Sequence, residues 1–156
     1  MIFLLAVILE MVIHMKDDRQ MLSSILKTTQ LSQISIQKIL NASMQPSLRK
    51  ALQSQSREYD SIESEALALA GQRGWELHEM QPFKRLTAAI SAQMKLGHDN
   101  SDSKIAEFII QSNTQGMIQG FKNLHQYRRP DSQVTFLTQR LLDCETANIR
   151  QMQHFL

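Results

Sequence analysis

Disulfide chemistry is the first thing this chain cannot do. It holds one cysteine, Cys144, so no internal bridge can form. A lone thiol suits a reducing compartment, and the expected location is cytoplasmic. Turn-forming residues are also scarce: five glycines and three prolines in 156 residues argue against a sandwich or barrel with many tight turns. Charge of one sign is missing too. A formal net charge of +2 gives no strong pull toward nucleic acid or an anionic membrane. Lys84, Arg85 and Lys95, with Lys122, Arg128 and Arg129, make only modest basic clusters, which solvated helix faces explain. No glycine-rich phosphate loop, Cys-x-x-Cys pair or Gly-x-Ser-x-Gly elbow is present. The five histidines, His14, His78, His98, His125 and His154, are too scattered to share a metal.

Long apolar runs are nearly absent. The exception is Ile2 to Ile13, broken by Glu10. It is shorter than the ~20 residues of a bilayer-spanning helix. It lacks the basic flank and small-residue cleavage site of a secretory leader. Three readings stay open for residues 1–15: a stretch upstream of a true start at Met15, a helix extension packing on the bundle or a partner, and a weak membrane-surface anchor. The flanks carry no cluster of Lys or Arg to support the last. Residues 16–156 are expected to form a single helical domain, long enough for a real core.

What is present is helical periodicity. Leu22, Ile25, Leu26, Thr29, Gln33, Ile36, Ile39 and Leu40 recur at three- and four-residue steps, predicting a helix from about Asp18 to Ala42. Asp17 and Asp18 place negative charge at its start. A short break ends at Pro46. The cleanest stripe follows, Leu48, Leu52, Gln55, Tyr59, Ile62, Ala66 and Leu69, predicting a second helix to about Ala70, with Gly71 and Gly74 as stops. So short a break makes the two an antiparallel hairpin.

A long crossover runs from Gly74 to about Ser103. Phe83, Leu86, Ile90 and Met94 predict a short helix within it, over Pro82 to Leu96. Asp102 or Ser103 is expected to cap a third helix, from about Lys104 to Tyr127, with Ile105, Phe108, Ile109, Met117, Phe121 and Leu124 on its apolar face. Ser112, Gly116 and Gly120 fall four apart on it. Glycine inside a helix costs about 1 kcal/mol against alanine. Such a strip implies close approach of another backbone, either inside the bundle or across a homodimer seam. After Arg128 to Asp131 a fourth helix is expected from about Ser132 to the end. Val134, Leu137, Leu141, Cys144, Glu145, Asn148, Met152 and Phe155 mark its inner face. Cys144 on that stripe reads as a buried structural thiol.

Two hairpins with a long connection describe the ferritin-like four-helix bundle. The stretches Ser103-Lys104-Ile105-Ala106-Glu107-Phe108-Ile109-Ile110-Gln111 and Arg140-Leu141-Leu142-Asp143-Cys144-Glu145, running to Phe155-Leu156, resemble a group of uncharacterised bacterial ferritin-like proteins, a domain of unknown function. The resemblance implies an all-α bundle. It also brings to mind, by analogy, structural proteins such as those of spore coats, some of which are built from similar bundles.

Ferritin-like di-iron enzymes place a carboxylate on each helix and Glu-x-x-His on two, because two buried cations need several anionic ligands aimed inward. This chain departs from that pattern. Glu58 is followed at i+3 by Ser61, Glu107 sits near a helix start, and Glu145 is followed at i+3 by Asn148. The expectation is a bundle with no metal and no cofactor, in which Gln33, Gln55, Glu145 and Asn148, with Ser112 or Asn113, form a polar core layer. The expected function is a non-enzymatic, self-associating structural or interaction module. The alternatives are a reduced metal-carboxylate protein using Glu58, Glu107 and Glu145, and a module tethered to membrane by Ile2 to Ile13.

Overall fold

A computed structural model describes residues 16–77 and 101–156, together with Ile2 and Leu5. The expected crossover helix, with its Lys84, Arg85 and Lys95, lies outside the described residues, as does the N-terminal extension apart from those two positions. The described chain is all-α. Its four helices are α1 (Asp18–Ile39), α2 (Pro46–Gln72), α3 (Asp102–Gln126) and α4 (Ser132–Gln153).

Local chemistry sets each start. Asp17 and Gln20 form a reciprocal capping box at α1: Gln20 N–H donates to Asp17 Oδ1 at 2.8 Å, and Asp17 N–H donates to Gln20 Oε1 at 3.0 Å. Pro46 opens α2, where its missing N–H is not needed. Ser101, one residue before the expected caps, accepts from Lys104 N–H at the head of α3. Asp131 accepts from the N–H groups of Gln133 and Val134 at α4. Only the second of the two expected glycine stops ends α2. The helix runs through Gly71, and Gly74 takes a φ of +66°, which lets Trp75 N–H reach back to Ala70 O at 2.9 Å and Gly74 N–H to Gly71 O at 3.2 Å.

The helices pack as two antiparallel hairpins, α1 with α2 and α3 with α4, as the short breaks require. Their direction pattern is up-down-down-up. The end of α2 and the starts of α1 and α4 meet at one pole, where Arg73 pairs with Asp131 at 2.7 Å and Asp18 at 3.7 Å. The starts of α2 and α3 meet at the other, where Gln45 N–H donates to Asp102 Oδ2 at 3.4 Å. Gln72 and Asp102 therefore stand at opposite poles, the arrangement that calls for a long crossover.

The core is a continuous aliphatic column with Leu22, Leu48, Leu52, Ile62, Val134 and Met152 fully enclosed. Trp75 packs against the Arg73 pole, with the guanidinium 5.2 Å from its ring centre. The Tyr127 hydroxyl donates to Asp18 Oδ1 and accepts from Asp131 N–H there. The amides beside Asp131, Val134 foremost, and then Arg73, hold its carboxyl below the ordinary aspartate range. A short main-chain staple adds to this pole: Lys16 N–H donates to Gln126 O at 2.7 Å, and Arg128 N–H to Lys16 O at 3.0 Å. Among the described residues no helix is long and apolar enough to cross a membrane.

One expected core residue points elsewhere. Phe121 is 53% exposed. Its neighbour Gly120 faces Leu142 of α4, and one residue is a 100° turn around the helix.

Candidate functional site

Polar side chains gather inside the bundle in two adjoining sets. The first joins α2, α3 and α4. Tyr59 Oη donates to Asn113 Oδ1 at 2.8 Å. The Asn148 amide faces Tyr59 Oη and Asn113 Oδ1, each at 3.2 Å, and Cys144 Sγ at 3.7 Å. The second amide hydrogen-bond direction of Asn113 is used within α3, to Ile109 O at 2.8 Å. One turn away, Gln55 Nε2 donates to Gln151 Oε1 at 2.8 Å, while Gln55 Oε1 is buried without a partner. Burial pushes the Tyr59 hydroxyl well above its ordinary range, and the nearby Cys144 and Glu145 add to the shift. Burial likewise pushes the Cys144 thiol up to about 12, so it is protonated and a poor nucleophile.

Glu145 dominates the second set. It is 1% exposed, its Oε2 has no partner, and burial alone pushes its carboxyl up to about 8. Gly116 makes room for it. A Cβ at 116 would fall 2.1 Å from Glu145 Oε1, and one at 120 would fall 2.6 Å from Leu142 Cδ2. Both glycines thus face α4, whereas Ser112 is exposed and bonds its own helix at Phe108 O. Substituting alanine for glycine at an exposed helix position gains about 1 kcal/mol. At Gly120 the sign is expected to reverse, with Gly120→Ala lowering the urea midpoint because Leu142 is packed in the seam and must leave its rotamer.

The expected polar residues separate into three places. Gln55 and Asn148 belong to the first set, with Asn113. Glu145 lies beside it. Gln33 is apart, half-buried on α1 and donating to Glu63 Oε2 of α2 at 2.7 Å. The three acids weighed as ligands do not converge. Glu58 accepts two bonds from Arg140, which also pairs with Glu65 at 2.6 Å. Glu107 pairs with Lys104 one turn back on the surface. Among the described residues no three of His, Cys, Asp and Glu gather where a metal could be held.

Tyr59 counted toward the apolar stripe of α2, and its hydroxyl is the hub of the first set. Ser24, Thr28, Asn123 and Thr138, which line a small cavity with Glu145, Met21, Ile25 and Leu142, carried no periodic signal that marked them. Between α1 and α3, which touch little, runs a cleft of ≈ 660 Å³. Most of its lining residues are serines and glutamines, joined by Thr28, with Leu31 and Phe108 as apolar patches and Lys16 and Lys27 as its charges. Partial burial, and then the charge of Lys27, lower the Lys16 pKa.

No family model matches the sequence, and no curated protein matches it. Among solved structures, the chain is similar to the crystal structure of a DUF305 fragment from Deinococcus radiodurans, with a TM-score of 0.69 and 14% identity over 88% of this chain and 93% of that one. At that identity the likeness is one of fold: a four-helix, all-α domain.

Proposed function

We propose that this chain is a ferritin-like bundle without catalytic machinery, acting as a structural or protein-interaction module that self-associates in the cytoplasm of a bacterial cell. The observation that supports this is the outer face of α3. Ile118 and Phe121 stand one turn apart there, 46% and 53% exposed. Met117 lies half-buried beside them. Single exposed apolar side chains are ordinary on a monomer, but a contiguous strip on one helix is the kind of surface that association covers. The interior supports it too: Tyr59, Asn113 and Asn148 bond to one another as amides and a hydroxyl, and among the described residues no three of His, Cys, Asp and Glu gather.

Molar mass in solution, measured across a dilution series, tests the reading. The native chain is expected to be a dimer or larger at micromolar concentration. The double substitution Ile118→Glu with Phe121→Glu is expected to leave a monomer whose thermal midpoint is almost unchanged, since both side chains are already half in water. A native chain that is monomeric throughout the series refutes self-association. Near-stoichiometric iron in freshly purified protein would instead favour the metal-carboxylate alternative.

A further inference from the structure

The cleft between α1 and α3 has two unlike halves. On the α1 side it is lined at three- and four-residue steps by Lys16, Gln20, Ser24, Lys27, Leu31 and Ser35. Lys16 lies beside Gln126 and the two helices run antiparallel, so Leu31 and Phe108 share the far half. The near half holds both charges. Lys16 and Lys27 stand close enough to repel each other. Among the described residues no carboxylate lines the cleft, and neither lysine has an ion-pair partner. The neutral groups beside them are left as donors. Gln20 Oε1 accepts from Asp17 N–H at 3.0 Å, which leaves the Gln20 amide to donate. Ser24 Oγ accepts from Asn123 Nδ2 at 2.6 Å, which leaves the Ser24 proton to donate. The far half is the reverse. Ser35 and Ser112 turn their hydroxyl protons back to their own helices, at Leu31 O (2.9 Å) and Phe108 O (3.0 Å). The half-buried Leu31 and Phe108 side chains supply apolar surface there.

We infer that the cleft binds an organic anion with an apolar tail, its acidic head between Lys16 and Lys27 and its tail against Leu31 and Phe108. The volume of ≈ 660 Å³ is that of a small-molecule site. Two ammonium groups that repel each other are both satisfied by one anion placed between them, and a carboxylate or phosphate head also accepts from Gln20 and Ser24. Leu31 follows Lys27 by one turn, about 6 Å along the helix axis, so a short tail reaches it. A neutral hydrocarbon would cover the donors of the near half without pairing them. The main-chain bonds of Lys16 to Gln126 and Arg128 fix the point from which its side chain reaches in. Ile118 and Phe121 do not line the cleft, so binding here is separable from self-association through the outer face of α3.

Calorimetric titration of the full chain at neutral pH reads the site. Octanoate and octyl phosphate carry both head and tail, inorganic phosphate the head alone, and octanamide the tail alone. Saturable binding of one molecule per chain is expected for octanoate, octyl phosphate or both, and the arm that binds tells a carboxylate head from a phosphate head. Inorganic phosphate and octanamide are expected to bind about tenfold more weakly or not at all. Lys27→Gln is expected to weaken binding about fivefold or more. Lys27 is exposed, so the change leaves the core untouched, and Lys122→Gln, outside the cleft, is expected to alter nothing. A second measurement needs no variant: amide chemical-shift changes in isotope-labelled native protein are expected to centre on Gln20, Ser24, Lys27 and Gln115. No saturable binding of either amphipathic probe, octanamide as tight as octanoate, unchanged affinity in Lys27→Gln, or shift changes centred on Phe136 between α2 and α4 overturns the proposal.

Discussion

Glu145→Gln is expected to stabilise the protein by about 5 kcal/mol once the pH passes about 8 and to leave its stability below about pH 5 nearly unchanged. The carboxyl is pushed up to about 8 in the folded bundle from an ordinary 4.5. Below 4.5 both folded and unfolded chains hold the proton, and the group has no effect on the balance. Between 4.5 and 8 the unfolded chain gives up its proton and the folded chain keeps it, so stability falls by about 1.4 kcal/mol for each pH unit. Above 8 both states are ionised and the loss is complete. Against a typical total of about 5–15 kcal/mol the effect is large. Glutamine fills the same volume and has no charge to bury. Urea unfolding from mildly acidic to mildly alkaline pH checks this. The native chain should weaken steadily as pH rises and the variant should not. Parallel curves would mean that water reaches the carboxylate freely.

Asn148→Asp is expected to be the most damaging isosteric change in the bundle, costing about 3–5 kcal/mol and lowering Tm by about 10 °C or more. The Asn148 amide supplies the donors that face Tyr59 Oη, Asn113 Oδ1 and Cys144 Sγ. The Tyr59 proton is already committed to Asn113 Oδ1. An aspartate would turn acceptor against acceptor at Tyr59 Oη and Asn113 Oδ1, and would bury a second carboxyl one turn from Glu145. Asn148→Leu removes the donors without adding charge and leaves the Tyr59–Asn113 bond intact. It should cost about 1–3 kcal/mol. A larger loss for leucine than for aspartate would show that volume, and not polarity, governs the position.

The four helices and their pairing were legible because each carries a long stripe at three- and four-residue steps, and because the breaks at Pro46 and Pro130 are too short for anything but hairpins. Burial of Gln55, Glu145 and Asn148 was legible for the same reason: each lies in register with leucines or isoleucines above and below it. Gln33 shows the limit of that argument. It sits at the margin of its stripe, and a few degrees of helix rotation turn it to Glu63 on the flank. Ser24, Thr28, Asn123 and Thr138 mark a different limit. Short hydroxyl and amide side chains are common on both wet and dry helix faces, and which face they take depends on the neighbouring helix, not on their own. Phe121 was misplaced because apolar character was weighed above its position beside Gly120. The Arg73, Asp18, Asp131 and Tyr127 cluster draws its members from four separate segments, and only Asp18 carried a local signal, as charge at a helix start.

The main-chain staple between Lys16 and the turn after α3 bears on how the molecule is made. Each hairpin can zip from its own short loop, a local search. Joining residue 16 to residues 126 and 128 closes a circuit of about 110 residues, whose entropy must be met before two hydrogen bonds repay it. Those bonds are expected to form after both hairpins have docked, which makes them a latch: they register that the first helix has found the right side of the last pair.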